Sequence, residues 1–558
     1  MSKHFCNPVN IEYRFQFEDS GTGPHIFRES ADPSLIQFKG KYWLFPSMTA
    51  GFLTSEDLVT WEKHSYINPM PIHDYAPDVR AIGEYMYFCA SKGGTDCPFY
   101  RSKDPVNEPF EEIPGSFPFW DPDMFPDDDG RLYFYWGCSN ENPIWGTELD
   151  PVTLKPLMPP VPLFNSNAAL YGYERRGDDH TELTRRPHVE GAWMTKYNGK
   201  YYLQYAFPGT EYNIYGDGVY VSDRPLGPFT PAKNNPFSYK PGGFINGAGH
   251  GSTLCDLNGD YWHISTMRIS INHMFERRLG LWKAGFDADG ELYCDQRYGD
   301  WPIRTDAQPF EKPDWLLLSY GKAVTVSSGT GAEYVTDEDC RTWWKAAPED
   351  KTPCVTVDLG TVGSVHAVQV NFAEEIPVES VSEQLRQARE SRQRIIEAAQ
   401  LSTGWLLEGS ADGNVWSILA DRRDAAADFT HELVELPEGM PLRFIRLSIT
   451  ATAYNAPACV SGLRVFGIMD IPAPRKPRGV KIERISPLDA LIEWEHDPAA
   501  CAHNILWGYA PDKLYHSYLV FGRDSRNIGA LTAGQAVWFR VDSVNEAGIT
   551  EGEIAEIP

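Results

Sequence analysis

The chain has 558 residues, 42% hydrophobic and 13% aromatic, with 47 Gly and 43 Pro; it is too long for one hydrophobic core and favours short strands and many turns over long helices. Its 50 Lys+Arg against 77 Asp+Glu leave a formal charge of −27, which repels a polyanion and excludes nucleic acid as the expected partner. No apolar run of about 18 residues is present to span a membrane, the segment Met1–Cys6 lacks the apolar core of a secretory signal, and ten Cys are scattered without a CxxC pair, so the expectation is a cytoplasmic protein with reduced thiols and no membrane partner.

From the N-terminus onward, one pattern recurs five times: a Gly-centred turn followed by an aromatic-rich strand. The copies are Gly40-Lys41-Tyr42-Trp43-Leu44, Gly83-Glu84-Tyr85-Met86-Tyr87, Gly130-Arg131-Leu132-Tyr133-Phe134, Gly199-Lys200-Tyr201-Tyr202-Leu203 and Gly259-Asp260-Tyr261-Trp262-His263. Gly tolerates the positive φ of tight hairpin turns, so each copy reads as a hairpin. Further strands follow several copies, as after Ser55-Glu56-Asp57 and Ser222-Asp223-Arg224. Two hairpins make a four-stranded blade, and radial repetition protects the sheet edges. Five copies predict a five-bladed β-propeller over residues 1–315. Tyr42, Trp43, Tyr202 and Trp262 read as packing between blades.

Ahead of each turn glycine stands an ionisable residue at the head of the incoming strand: Asp32, Asp78, Asp121, Glu190 and His250. The first strand of every propeller blade lines the central axis, so these five side chains converge although they are far apart in the chain. Like charges brought together raise one another's pKa, which leaves two accounts, structural cation binding or acid–base catalysis. Pro follows Asp32 and Asp121, fixing the chain direction there, and Glu190 has the longer reach.

The segments Ala31-Asp32-Pro33-Ser34, Trp120-Asp121-Pro122-Asp123, Val189-Glu190-Gly191-Ala192-Trp193 and Gly249-His250-Gly251-Ser252, in that order, resemble the signature of glycoside hydrolase family 43. The resemblance covers about residues 10–310 and implies a propeller that hydrolyses arabinosyl, xylosyl or, less often, galactosyl linkages with inversion. Carried over by residue, it implies Asp32 as general base, Glu190 as general acid and Asp121 as the group that orients and tunes the acid. An inverting site needs one ionised and one protonated carboxyl about 6.5–9.5 Å apart, with water between base and sugar. The family likeness makes His250 an axial ligand of a calcium ion or water, so a structural calcium on the propeller axis is expected and no cofactor is required for the chemistry. Asp78 is expected to contact substrate or hold the axis, and Arg277 to orient substrate, with Arg278 as the alternative because a one-residue slip flips the face. Trp120, Trp193 and Trp145 are candidates for a sugar-stacking wall or for the core. The insertion from about Asn165 to His188 is expected to close one end of the site, favouring an exo-acting pocket.

The expected activity is removal of terminal pentosyl residues from plant-type oligosaccharides, of the α-L-arabinofuranosidase or β-xylosidase type. An exo-galactosidase and a catalytically silent glycan-binding propeller are the alternatives.

After about Pro313 the repeat stops. Val324–Ser328, Val355–Gly360, Leu407–Gly413 and Arg443–Leu447 resemble a discoidin-type jelly-roll β-sandwich over residues 316–470. Within it residues 379–400 read as a helical insertion, with Val381, Leu385, Ile395 and Ile396 spaced to pack on a neighbour. Pro472–Pro477 reads as a stiff linker, and residues 471–558 resemble a fibronectin type III β-sandwich serving as a spacer. The whole chain is therefore expected to be all-β.

Overall fold

The computed structural model describes residues 3–557 except 22 and 93; Met1 and Ser2, the start of the segment read for a signal, lie outside the described residues. Five antiparallel sheets, four of four strands and the fourth in order with a fifth strand at Ser238–Tyr239, follow one another between Ala31 and Cys294. Their inner strands are Ala31–Phe38, Tyr75–Ile82, Asp123–Pro126, Glu190–Tyr197 and Asn246–Cys255. The five Gly turns fall where expected, each with positive φ between the first and second strands of its blade. Tyr42, Trp43, Tyr202 and Trp262 are all buried, as the alternation implies.

Polar side chains of the inner strands join neighbouring blades. The Ser34 hydroxyl accepts the backbone N–H of Val79 (3.1 Å), Asp78 that of Met124 (2.8 Å), Asp123 that of Met194 (2.8 Å) and Ser252 that of Leu35 (3.0 Å). Between the fourth and fifth blades, the Trp193 indole donates to the Thr253 carbonyl and Asp217 accepts the N–H groups of His250 and Gly251. Each bond satisfies a buried backbone or side-chain group that would otherwise be orphaned at the tightly packed axis.

Ahead of the first blade, a hairpin of Arg14–Ser20 and Gly23–Glu29 forms a separate small sheet, whose third strand is Ile395–Ile396 from the C-terminal half. The second domain is an eight-stranded sheet whose long strands, Cys354–Phe372 and His431–Ala451, break register and fold over one core containing Trp344, Trp405, Ile445 and Val460. Its insertion is less helical than its spacing predicts. The helix covers only Ser382–Ser391 and ends at Arg392 in the left-handed region (φ 56°), so Ile395 and Ile396 belong to a strand. This is the single α-helix among the described residues, and no described helix is long and apolar enough to cross a membrane.

The C-terminal unit comprises a three-stranded and a five-stranded sheet between Lys481 and Ile557. It is docked rather than held at a distance. Trp507, Tyr518 and Phe539 share a core with Tyr205 and Tyr239 of the fourth blade, and Gly172 and Leu170 exchange backbone hydrogen bonds with Leu531 and Ala533. The insertion preceding Glu190 is thus clamped from behind.

Candidate active site

The site is built on one backbone device repeated in every blade. Asp32, Ala76, Asp121, Gly191 and His250 all have φ between 42° and 62°, the left-handed region that non-glycine residues rarely enter. Four of these positions coincide with a break in strand register, between Ala31 and Ser34, Tyr75 and Asp78, Glu190 and Trp193, and Gly249 and Ser252. Asp121 stands just before its strand. A bulge inserts an unpaired residue and re-aims its side chain, here into the funnel at the propeller axis.

Asp32, Trp120, Asp121, Glu190, His250 and Arg277 line one cavity of about 510 Å³, within the range of a small-ligand pocket. Asp32 is pinned from two sides: Arg277 donates from Nη1 to Oδ1 (3.0 Å) and from Nη2 to Oδ2 (3.2 Å), while the Ser47 hydroxyl donates to Oδ2 (2.8 Å). Burial pushes its pKa up, but the charges of Arg277 and His250 and the Ser47 bond outweigh burial and hold the carboxyl below its ordinary range. Asp32 is therefore ionised.

Across the pocket, Glu190 accepts hydrogen bonds from the Tyr215 hydroxyl (2.6 Å) and the Cys138 thiol (3.1 Å). Asp121 lies beside it, and oxygens of both carboxyls fall within 4.8 Å of each other and of the Cys138 sulfur. Burial, joined by the charges of Glu190 and Asp32, raises the Asp121 pKa against the pull of His250. Asp121, beside Glu190, is the carboxyl whose protonated form is favoured. One side of the pocket thus holds a carboxylate and the other a proton.

His250 sits between the two sides, its Nδ1 3.4 Å from Asp32 and 3.7 Å from Asp121. Burial lowers its pKa, yet the surrounding Asp32, Asp121, Glu190 and Asp217 raise it overall. Gly191 makes room for the ring, because a Cβ there would lie 2.7 Å from the imidazole Cγ. Calcium takes about six to eight oxygen ligands. His250 offers nitrogen, and both Asp32 oxygens are already engaged by Arg277 and Ser47, so these side chains do not make a calcium cage. The metal-capable group among the described residues, Asp121, Cys138 and Glu190, omits His250.

Three sequence expectations move. Asp78 is buried with its carboxylate turned to Met124 and Arg80 and is absent from the pocket wall; the axial equivalent in its blade is Ala76, two residues earlier. Trp193 is likewise buried, stacked under the Arg80 guanidinium at 3.5 Å, and lies in the core, not in a sugar-stacking wall. Trp145 is also outside the pocket. Arg277, not Arg278, faces the site; Arg278 points the other way, to His431 and the Arg28 carbonyl. Tyr75, Phe275, Cys138, Arg176 and His188 are among the other wall residues and carry no motif that reads from sequence, although Phe275 stands two residues before Arg277 on the same segment.

Residues 22–292 match the profile of glycosyl hydrolases family 43. The propeller belongs to this family. Curated relatives of the family 43 propeller include a β-D-galactofuranosidase of Aspergillus niger, 28% identical over 36% of this chain and 64% of its own length. A β-xylosidase of Xylanibacter ruminicola is 32% identical over 24% of this chain and 43% of its own. A xylosidase/arabinosidase of Humicola insolens is 28% identical over 48% of this chain and 97% of its own. The chain thus spans less than two thirds of the length of the first two.

Proposed function

We propose that the protein is an inverting, exo-acting glycoside hydrolase that removes terminal pentosyl residues, of the arabinofuranosidase or xylosidase type, from plant-type oligosaccharides. The observation that carries this reading is the division of charge in one pocket, with Asp32 held ionised by Arg277 on one side and Asp121, its pKa raised by burial, beside Glu190 on the other. Asp32 takes a proton from water as that water attacks the anomeric carbon. Glu190 gives a proton to the departing glycosidic oxygen, and Asp121 orients and tunes it. His250, between the two, adds positive charge beside Asp32 without touching the leaving oxygen.

Exo action is supported by the insertion before Glu190, which brings Arg176 and His188 to the pocket wall and is held by the C-terminal unit through Arg175 and Asp489. Trp120, 39% exposed, offers a face for a sugar ring. The names of the relatives support a pentosyl substrate, and the galactofuranosidase among them supports terminal galactosyl removal as the second reading. For the two C-terminal sandwiches we propose a supporting role, holding both rims of the pocket.

The test is a panel of nitrophenyl pentosides and galactosides, with the first-formed anomer followed by proton NMR. Release of an inverted pentose is expected. Retention of configuration, or binding without turnover across the panel, would replace this reading with a double-displacement enzyme or a glycan-binding propeller respectively.

A further inference from the structure

Between strands Cys354–Phe372 and Gly404–Ser410 the second domain sends out a segment that crosses to the propeller. Val381 and Leu385 pack on Phe15 and Phe17 of the N-terminal hairpin, and Ile395–Ile396 adds a strand beside Gln16 and Phe17. This anchoring delivers one side chain inward. Arg394 Nη1 donates to Glu29 Oε2 at 2.5 Å and to Gln16 Oε1 at 3.2 Å. The other Glu29 oxygen accepts from Arg277 Nε at 2.9 Å and from Arg277 Nη2. Arg277 in turn holds both oxygens of Asp32. Four alternating charges, none with a side chain more than 7% exposed, therefore run from the second domain to the pocket.

The charge count gives this chain a purpose. Two guanidinium groups balance two carboxylates. Without Arg394, one cation would face two buried acids, and a buried carboxylate short of a partner takes up a proton. The other groups facing Asp32 are His250, Asp121 and the Ser47 hydroxyl; Arg394 also faces Glu18 and stands near His273. None of these replaces the lost cation at Glu29.

We propose that Arg394 is a positioning residue for the general base: by neutralising Glu29 it leaves Arg277 on Asp32, so the second domain is a working part of the active site. The proposal rests on the reading of Asp32 as base. Arg394 does not itself line the pocket; its guanidinium lies behind the wall residues Phe275 (5.3 Å) and Tyr75 (5.7 Å), and its effect on the charge of Asp32 runs through Glu29 and Arg277.

The test compares full-length wild type with Arg394→Met, Arg394→Lys and the double variant Glu29→Gln/Arg394→Met. Two readouts are taken: the pH profile of kcat/KM on the best aryl glycoside of the panel, and Asp32 ionisation by carboxyl carbon-13 NMR, assigned with Asp32→Asn. In Arg394→Met the Asp32 midpoint and the acid limb should both rise by about one pH unit, a loss of about tenfold in kcat/KM on that limb. Arg394→Lys should restore most of it. The double variant should return the midpoint towards wild type, since one cation then faces one acid; a merely structural role for Arg394 gives no such rescue. An unmoved midpoint in Arg394→Met overturns the proposal, as does a double variant with a raised midpoint, which also decides the case if the single variant fails to fold. A moved midpoint in a protein that cleaves nothing in the panel leaves the charge chain standing and removes only the catalytic reading; an active wild type whose midpoint stays put in Arg394→Met does the reverse.

Discussion

Asp121 and Asp123 stand two residues apart in the third blade, both buried, yet their surroundings differ in kind. Asp121 has a left-handed backbone and lies in the pocket beside Glu190, 3.7 Å from His250. Asp123 lies in the regular strand, accepts the Met194 N–H and pairs with Arg80. Residues i and i+2 of an uninterrupted strand share a face; Asp121 stands before its strand with a left-handed backbone, which turns it into the funnel. The same contrast separates Asp32 from Ser34 and His250 from Ser252, so the first, third and fifth blades carry a left-handed position for chemistry and a following position that ties the blade to a neighbour, while the left-handed residues of the second and fourth blades are Ala76 and Gly191. The residue type does not choose between these roles. The left-handed backbone does.

The largest effects are expected at the bulge ring. Asp32→Ala and Glu190→Gln should each lower kcat by about 10²–10⁴-fold while circular dichroism and the melting transition stay close to wild type. An active Asp32→Ala protein would dissolve the distinction between the two rings.

Next comes Gly191→Ala, whose new Cβ would meet the His250 ring at 2.7 Å on a backbone of φ +62°. Displacing the imidazole from between Asp32 and Asp121 should cost about 10²-fold in kcat/KM, with a stability loss of about 1–2 kcal/mol from the left-handed conformation. Steady-state kinetics and thermal melting separate the two.

The pH profile sharpens the comparison within the pocket. Asp32 works ionised and its pKa is depressed, so kcat/KM should hold as pH falls through the ordinary aspartate range and drop only below it. The Asp121 pKa is raised, so an alkaline limb set by loss of the Asp121 proton should lie well above that range. A profile with its alkaline limb near the pKa of a free carboxyl would contradict the pairing.

The smallest catalytic effect is expected at the tie position. Asp78→Ala orphans the Met124 N–H and should destabilise the fold by about 1–3 kcal/mol, whereas Asp78→Asn keeps an acceptor there and should cost less than about 1 kcal/mol. Both folded proteins should retain kcat/KM within about threefold of wild type, a difference of less than about 1 kcal/mol in the barrier. A hundredfold loss in Asp78→Asn would return this residue to the site.

Much of this architecture is legible in the chain. The five Gly turns announce the blades because a tight hairpin places a local demand on backbone conformation. The Asp-Pro and Glu-Gly motifs around Asp32, Asp121 and Glu190 stand out for the same reason. Counting back from a turn glycine, however, assumes an unbroken strand, and the bulge at Ala76 makes that count select Asp78. Trp193 reads as a binding aromatic or a core aromatic equally well until Arg80 is seen lying across it. The insertion at residues 379–400 is recognisable as something that packs on a neighbour, while the left-handed turn at Arg392 that ends its helix is set by where the neighbour lies.

The sequence by itself determined the repeat and the blade number, because each is written in short stretches whose physics is local, turn glycines and alternating aromatics, and the trio of acids came from the resemblance of the motifs around them to a known family. Only the tertiary structure decided which acids face the pocket, which of two adjacent arginines holds the base, and that a side chain from the second domain completes the charge balance behind it. Those outcomes depend on electrostatic distances between segments hundreds of residues apart and on the left-handed residue at the axial end of each blade, neither of which a linear pattern encodes.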